Sequence, residues 1–394
     1  MGHPFLCSVF PFLLGFGAAG PVLAQDYGYA QGDVPVAIAN AGAKVLPVLI
    51  LHPETGKALG LCDGVAADAQ GNVYVSEPGA HSIYKVDTQG KASVFYSGHG
   101  DSPNGLEFDN QGRLLACVKD AILRFRPDGT PDTVAASGNG IAFKALDDIT
   151  IGSDGSMFVS NLTAGKTVFH VSADGKTVIA NTTVATPDGV EWLEEKKILY
   201  VSDRNATTTW QFDVAPDGSL SNKRGYVTDI PGAAGITMDE KEDVFIAGFS
   251  QGAVHLYSPG KKDPFLGHIL VKGSPTPTGN DANQCFGGPD FKTLYIAGNG
   301  GLFKIALNVR GRKRPGASIA ILADGRGFPG ASGRALQDAS RAMADAFSSS
   351  SFRFAGPSLV IFWQGSPRSL SGRAGDGRGV EWKLPAAQAQ AAGK

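Results

Sequence analysis

Asp63, Asn104, the pair Asp147-Asp148 and Asp188 recur in one local setting, each at or just before a glycine or a short β-branched run. Ala234 takes the same place in Gly232-Ala233-Ala234-Gly235-Ile236, and Asn283 precedes a sixth such stretch. Carboxylate and amide oxygens drawn onto one axis suit a hard cation, and Ca²⁺ in particular takes roughly six to eight of them. Carboxylates confined in a narrow channel need a partner for their charge. Asp and Asn also cap turns at strand starts in any β protein, and spacing alone leaves both readings open. His99, between Gly98 and Gly100 on the way to Asn104, is positioned to reach the same place. His170 and His255 lie inside apolar strand patterns and read as packed residues, with no zinc-ligand spacing. The repeat supplies no Gly-x-Ser-x-Gly elbow for a nucleophilic serine.

The elements that must position these residues are repeated. Asp63-Gly64-Val65-Ala66-Ala67 leads into Asn72-Val73-Tyr74-Val75-Ser76 and then Ile83-Tyr84-Lys85-Val86, and this succession of short strands and Asp/Gly turns returns along the chain. Its copies begin at Gly64, Gly105, Asp148, Gly189, Gly235 and Gly287, about 40 to 50 residues apart. Six units of about four strands predict an all-β fold, a six-bladed β-propeller over residues 45–308. In that fold the innermost strands start at one end of a central channel, so matching positions from distant units meet there. Lys44-Val45-Leu46-Pro47-Val48-Leu49-Ile50-Leu51, ahead of the first copy, is the strand expected to complete the last blade and close the ring.

Composition agrees with many tight turns, since 53 of 394 residues are Gly. The 35 basic and 37 acidic residues give a net charge of −2, which argues against nucleic acid as a partner because phosphate neutralisation needs a basic surface. Residues 1–24 carry the apolar run Phe5 to Phe16 and end in Val22-Leu23-Ala24, the pattern of a secretory signal peptide with a small-x-small cleavage site. The mature chain is therefore expected in the periplasm or outside the cell, with no membrane attachment after cleavage. That leaves Cys62, Cys117 and Cys285, an odd number, read as buried free thiols. Past residue 308 the repeat stops and Arg310-Gly311-Arg312-Lys313-Arg314 opens an extension rich in Gly, Arg and Ser, so residues 309–394 are expected to be disordered.

Pro103-Asn104-Gly105, Pro187-Asp188-Gly189-Val190, Leu199-Tyr200-Val201-Ser202-Asp203 and Cys285-Phe286-Gly287-Gly288-Pro289-Asp290-Phe291-Lys292-Thr293-Leu294-Tyr295-Ile296 resemble the gluconolactonase, senescence-marker-protein and luciferin-regenerating-enzyme family over about residues 45–308. The resemblance implies a six-bladed propeller with a divalent cation, usually Ca²⁺, in its channel and hydrolysis of a sugar lactone or related ester. The family's first metal-binding Glu falls on Asp63, an Asn on Asp147 and another Asn on Asp188, while an Asp often assigned as base falls on Ala234. Three carboxylates so placed raise one another's pKa unless a cation joins them. The resemblance thus implies Asp63, Asp147 and Asp188 as metal ligands and Asn104 as a contact to metal or substrate. His99, from its place on the loop to Asn104, is the further substrate contact expected, and Asp148 or Asp188 the proton acceptor. Ala234 offers neither ligand nor base, and it supports an alternative in which the propeller binds a small ligand or protein at its mouth without catalysis.

Overall fold

The computed structural model describes residues 28–312, apart from short stretches at 31–33, 41, 99, 139–140, 163–165, 262–263 and 272–280, together with four strands beyond residue 318. The signal-peptide segment and His99 lie outside the described residues.

Six antiparallel sheets follow one another along the chain, each running from an inner strand outward, which is the expected six-bladed propeller. The inner strands are Val65–Ala67, Leu106–Phe108, Leu146–Ile151, Pro187–Leu193, Ala233–Met238 and Asp281–Gly287. Leu46–Leu49 pairs with Gly301–Ala306 as the outermost strand of blade six, so the ring is closed by its N-terminal strand as the sequence predicts. Gly28–Ala30 adds a fifth strand to the outside of blade five, upstream of the expected boundary. At the other limit the chain past 308 stays on the ring: Gly311 bridges Asp239, and Arg312 N–H donates to the Met238 carbonyl. The strands Ile319–Ile321, Val360–Trp363, Ser369–Arg373 and Gly379–Lys383 pair into a sheet of their own, where sequence predicts disorder. No helix among the described residues is long and apolar enough to cross a membrane.

Burial follows the repeat. Second strands such as Val73–Glu77, Leu114–Val118 and Met157–Asn161 are buried along their whole length because a blade packs on both faces. Apolar clusters lie between neighbouring blades, as where Leu115, Cys117 and Ile122 of blade two meet Ile149, Met157 and Phe169 of blade three. Cys62 and Cys117 are free thiols and fully buried, Cys285 is half-buried, and His170 packs on Phe158 with ring centroids 4.8 Å apart.

The repeated glycine marks the closest approach between inner strands. A Cβ at Gly64 would lie 2.2 Å from the Asn104 carbonyl, one at Gly105 2.5 Å from the Asp147 carbonyl, and one at Gly189 2.1 Å from the Ala234 carbonyl. No side chain fits there, which is why four of the six copies keep Gly. A serine ending the second strand completes the joint. Ser76 Oγ accepts from Gly64 N–H at 2.8 Å and donates to the Asn104 carbonyl at 2.8 Å. Ser202 Oγ does the same between Gly189 N–H and the Ala234 carbonyl, both at 2.7 Å.

Candidate active site

The residue before the joint is the one turned toward the channel. In blades three to six a bulge at the start of the inner strand shifts the register, between Leu146 and Ile149, Pro187 and Val190, Ala233 and Ile236, and Asp281 and Asn283. Bulges re-aim side chains, and here they act on Asp147-Asp148, Asp188, Ala234 and Ala282. In blade three, Asp148 N–H donates to Ser160 Oγ at 2.9 Å, as Gly64 and Gly189 do to their serines. Asp148 therefore holds the glycine position, and Asp147 is the counterpart of Asp63, Asn104 and Asp188.

Blade six needs a correction. Gly287 ends the inner strand Asp281–Gly287, and Asn283, its third residue as Gly189 and Gly235 are of theirs, holds the glycine position. Blades three and six face each other across a six-membered ring, and they are the two in which a side chain replaces the glycine. Those side chains meet: Asn283 Nδ2 donates to Asp148 Oδ1 at 2.9 Å. They use space left by their neighbours' glycines, since a Cβ at Gly235 would lie 2.2 Å from Asn283 Oδ1 and one at Gly105 2.9 Å from Asp148 Oδ1. Asp148 Oδ2 accepts from Val190 N–H at 3.0 Å. Both oxygens of Asp148 are thus engaged, joining blades three, four and six. This carboxylate, expected as a base, is placed as a strut across the channel. Burial, with the charge of Asp147 adding to it, pushes its pKa up to about 7 against the opposing Val190 and Asn283 hydrogen bonds.

Asp63, Asp147 and Asp188 lie near enough to feel one another's charge. Burial raises the pKa of Asp63 well above the carboxylate range, Asp147 and Asp148 push it further, and Arg204 pulls it down. Asp188 is raised by burial and then by the charge of Asp147, again against Arg204. Asp147 and Asp188 are buried, while Asp63 keeps some exposure although its carboxylate feels mainly desolvation. Asn104 Nδ2 donates to the Leu146 carbonyl at 2.7 Å, so this amide fixes blade two against blade three at the same end of the channel. Ala234 is fully buried.

Sequence reasoning missed Arg204. It follows the second strand of blade four (Ile198–Asp203), its N–H donates to the Thr186 carbonyl, and its guanidinium lies 4.4 Å from the Phe249 ring centroid of blade five. Arg204 Nε stands 2.5 Å from Asp188 Oδ2 without the alignment of a hydrogen bond. Burial works against the charge on Arg204, but Asp188, Asp147 and Asp63 outweigh it and raise its pKa. Asp203 beside it accepts from Ala185 N–H and Thr186 N–H, fixing the loop that leads into Asp188.

A divalent cation suits this donor set. Asp63, Asp147 and Asp188 are hard oxygen donors from three blades, their mutual repulsion is only partly offset by one guanidinium, and Asp188 Oδ2 accepts no hydrogen bond. As they stand, no three His, Cys, Asp or Glu side chains among the described residues are drawn together closely enough to cage an ion.

Comparison with known proteins agrees with this architecture. The chain is 27% identical over 275 residues to lactonase drp35 of Staphylococcus saprophyticus, a match spanning 64% of this chain and 82% of that one. It is 26% identical over 163 residues to pentonolactonase XacC of Haloferax volcanii, covering 40% of this chain and 54% of that one. Among solved structures it superposes on a gluconolactonase from Xanthomonas campestris with a TM-score of 0.60 at 19% identity, over 72% of this chain and 96% of the other. It also superposes on the calcium-binding protein regucalcin from Agrobacterium tumefaciens with a TM-score of 0.56 at 15% identity, over 69% and 97%. The family model for the SMP-30/gluconolactonase/LRE-like region matches residues 96–299, more than half of the chain, and with the six-bladed ring it places this protein in that family.

Proposed function

We propose that this protein hydrolyses a sugar lactone or a related small ester at the end of the channel where its inner strands begin. The observation that carries the reading is the convergence of Asp63, Asp147 and Asp188 from three separate blades, with more negative charge than Arg204 offsets. Its support in kinship is that relatives of the chain include a lactonase and a pentonolactonase.

Asp63, Asp147 and Asp188 would hold a divalent cation, and their all-oxygen character favours calcium, which the regucalcin relative also binds. Such an ion, when bound, polarises the lactone carbonyl and offsets the charge that develops on its oxygen. Water adds to the carbonyl carbon, the ring C–O bond breaks, and the freed alkoxide takes the proton that the water gives up. Asp188, released from Arg204 when the ion is bound, is the carboxylate we assign to relay that proton. Asp148, with both oxygens engaged, and Asn104, bonded to Leu146, keep the blades in register around it. The Met1–Ala24 segment supports a periplasmic or secreted setting, and N-terminal sequencing of exported protein should read Gln25-Asp26.

The test is the hydrolysis of five- and six-membered sugar lactones, followed by pH-stat in calcium, for the wild type and Asp188→Ala. Loss of about a thousandfold in kcat/KM is expected, the scale of removing a group that acts in the transition state. Wild-type protein that binds lactones without opening them would instead support the ligand-binding propeller.

A further inference from the structure

We propose that Arg204 is a resident counter-ion that competes with a divalent cation for Asp63, Asp147 and Asp188, so that cation entry requires its guanidinium to leave Asp188. This rests on the cation reading given above and adds a residue that sets how tightly, and at what concentration, the site loads.

Three observations carry it. Arg204 Nε stands 2.5 Å from Asp188 Oδ2, within the space an ion bound to that oxygen would share. Asp63, Asp147 and Asp188 all act on the same guanidinium, so one side chain serves the acids of three blades at once. The arginine also has a second support. The Phe249 face, 4.4 Å from its guanidinium carbon, is contributed by blade five, not by the acids, and a cation over an aromatic face is held without needing a carboxylate. The side chain keeps 24% of its surface exposed, against 3% for Asp188, so it has an outward path that the carboxylate lacks. Two like charges cannot share one buried acidic cluster without repulsion. Loading the site with a divalent ion therefore favours a guanidinium held by Phe249 alone, and chelation favours its return to Asp188.

The experiment compares full-length wild type, Arg204→Gln, Arg204→Lys and Phe249→Leu after stripping with chelator. Calcium chloride is titrated by calorimetry, and melting temperatures are read in chelator and in millimolar calcium. Arg204→Gln should bind calcium about tenfold more tightly than wild type, and should melt below wild type in chelator but not in calcium. Arg204→Lys should fall between them, because lysine keeps the charge without the planar fork. In Phe249→Leu, loss of the ring weakens the alternative seat and should lower calcium affinity while leaving the fold intact.

Equal or weaker calcium binding by Arg204→Gln would overturn the competition, and so would the absence of calcium binding in both proteins. Lactone turnover measured alongside separates the two readings. Turnover with unchanged calcium affinity in Arg204→Gln would defeat the competition and leave the hydrolase. A tenfold gain in affinity without turnover in any protein would defeat the hydrolase and leave the competition.

Discussion

The two ends of the inner strands each hold an arginine among acids, and the two arginines are treated differently. Where the strands finish, Arg312 Nη2 donates to Glu191 Oε1 at 2.7 Å and to the Trp192 carbonyl at 2.8 Å, and its Nη1 meets Glu195 at 3.4 Å. Glu191 and Arg312 are almost wholly buried, with 3% and 9% of their side-chain surface exposed. The last residues of the ring are stitched there to blades four and five, and the charges are hydrogen-bonded. Where the strands start, Arg204 faces Asp188 without an aligned hydrogen bond, and Asp63, Asp147 and Asp148 add carboxylates that one guanidinium cannot balance. The Arg312 pair is hydrogen-bonded through both terminal nitrogens, although its Nε has no partner, and it ties the chain to the fold. The cluster around Arg204 holds more carboxylates than one guanidinium balances and is costly to keep, which is what the proposed cation would relieve.

Breaking each end should separate these roles. Asp148→Ala leaves Val190 N–H and Asn283 Nδ2 without their acceptor in the closed channel. It should cost about 4 kcal/mol in urea unfolding, roughly 2 for each stranded donor. Arg312→Ala should cost about 3 kcal/mol by removing the buried ion pair to Glu191 and the hydrogen bond to the Trp192 carbonyl. That loss should be the same in calcium and in chelator, with lactone turnover per folded molecule unchanged. Gly189→Ala drives a methyl group to 2.1 Å from the Ala234 carbonyl and should cost about 2 kcal/mol, read as a lowered urea midpoint.

Acidity gives the finest comparison. Asp148 is raised to about 7 chiefly by burial, and Asp239, where the strands finish, to about 6 by burial with a further push from Asp243. A carboxyl with a raised folded pKa keeps its proton while the unfolded chain has lost it. Each group's contribution to stability therefore falls as pH rises from about 4 toward its folded value. In chelator, unfolding free energy should decline over pH 4 to 7. Calcium should lessen the decline arising where the strands start and leave that of Asp239 in place. A pH series of urea titrations in the two buffers checks this.

The fold was legible because its repeat is written in residue types that physics constrains. Gly recurs where neighbouring inner strands meet, and Ser76, Ser160 and Ser202 recur where a hydroxyl completes the joint. The closing strand could be read from its apolar run alone. The candidate site was legible in part, since Asp63, Asp147 and Asp188 share one repeat position. Blade six was misaligned by four residues, at Gly287 and not Asn283, because Asn283 stands where Gly marks most other copies. Arg204 could not be read at all. It belongs to the ends of the second strands, where Pro78, Lys119, Leu162, Arg204, Phe249 and Asn299 follow one another without a pattern, and Lys119 would have been an equal candidate. What singles out Arg204 is its distance from Asp188, a property of three-dimensional packing.

The measurement that bears most directly on the central claim is sugar-lactone hydrolysis by one preparation of the full chain, followed through chelation and calcium readdition. Turnover should be lost in chelator, restored by calcium and absent throughout from Asp188→Ala. Turnover that is indifferent to chelator and survives in Asp188→Ala would contradict that claim.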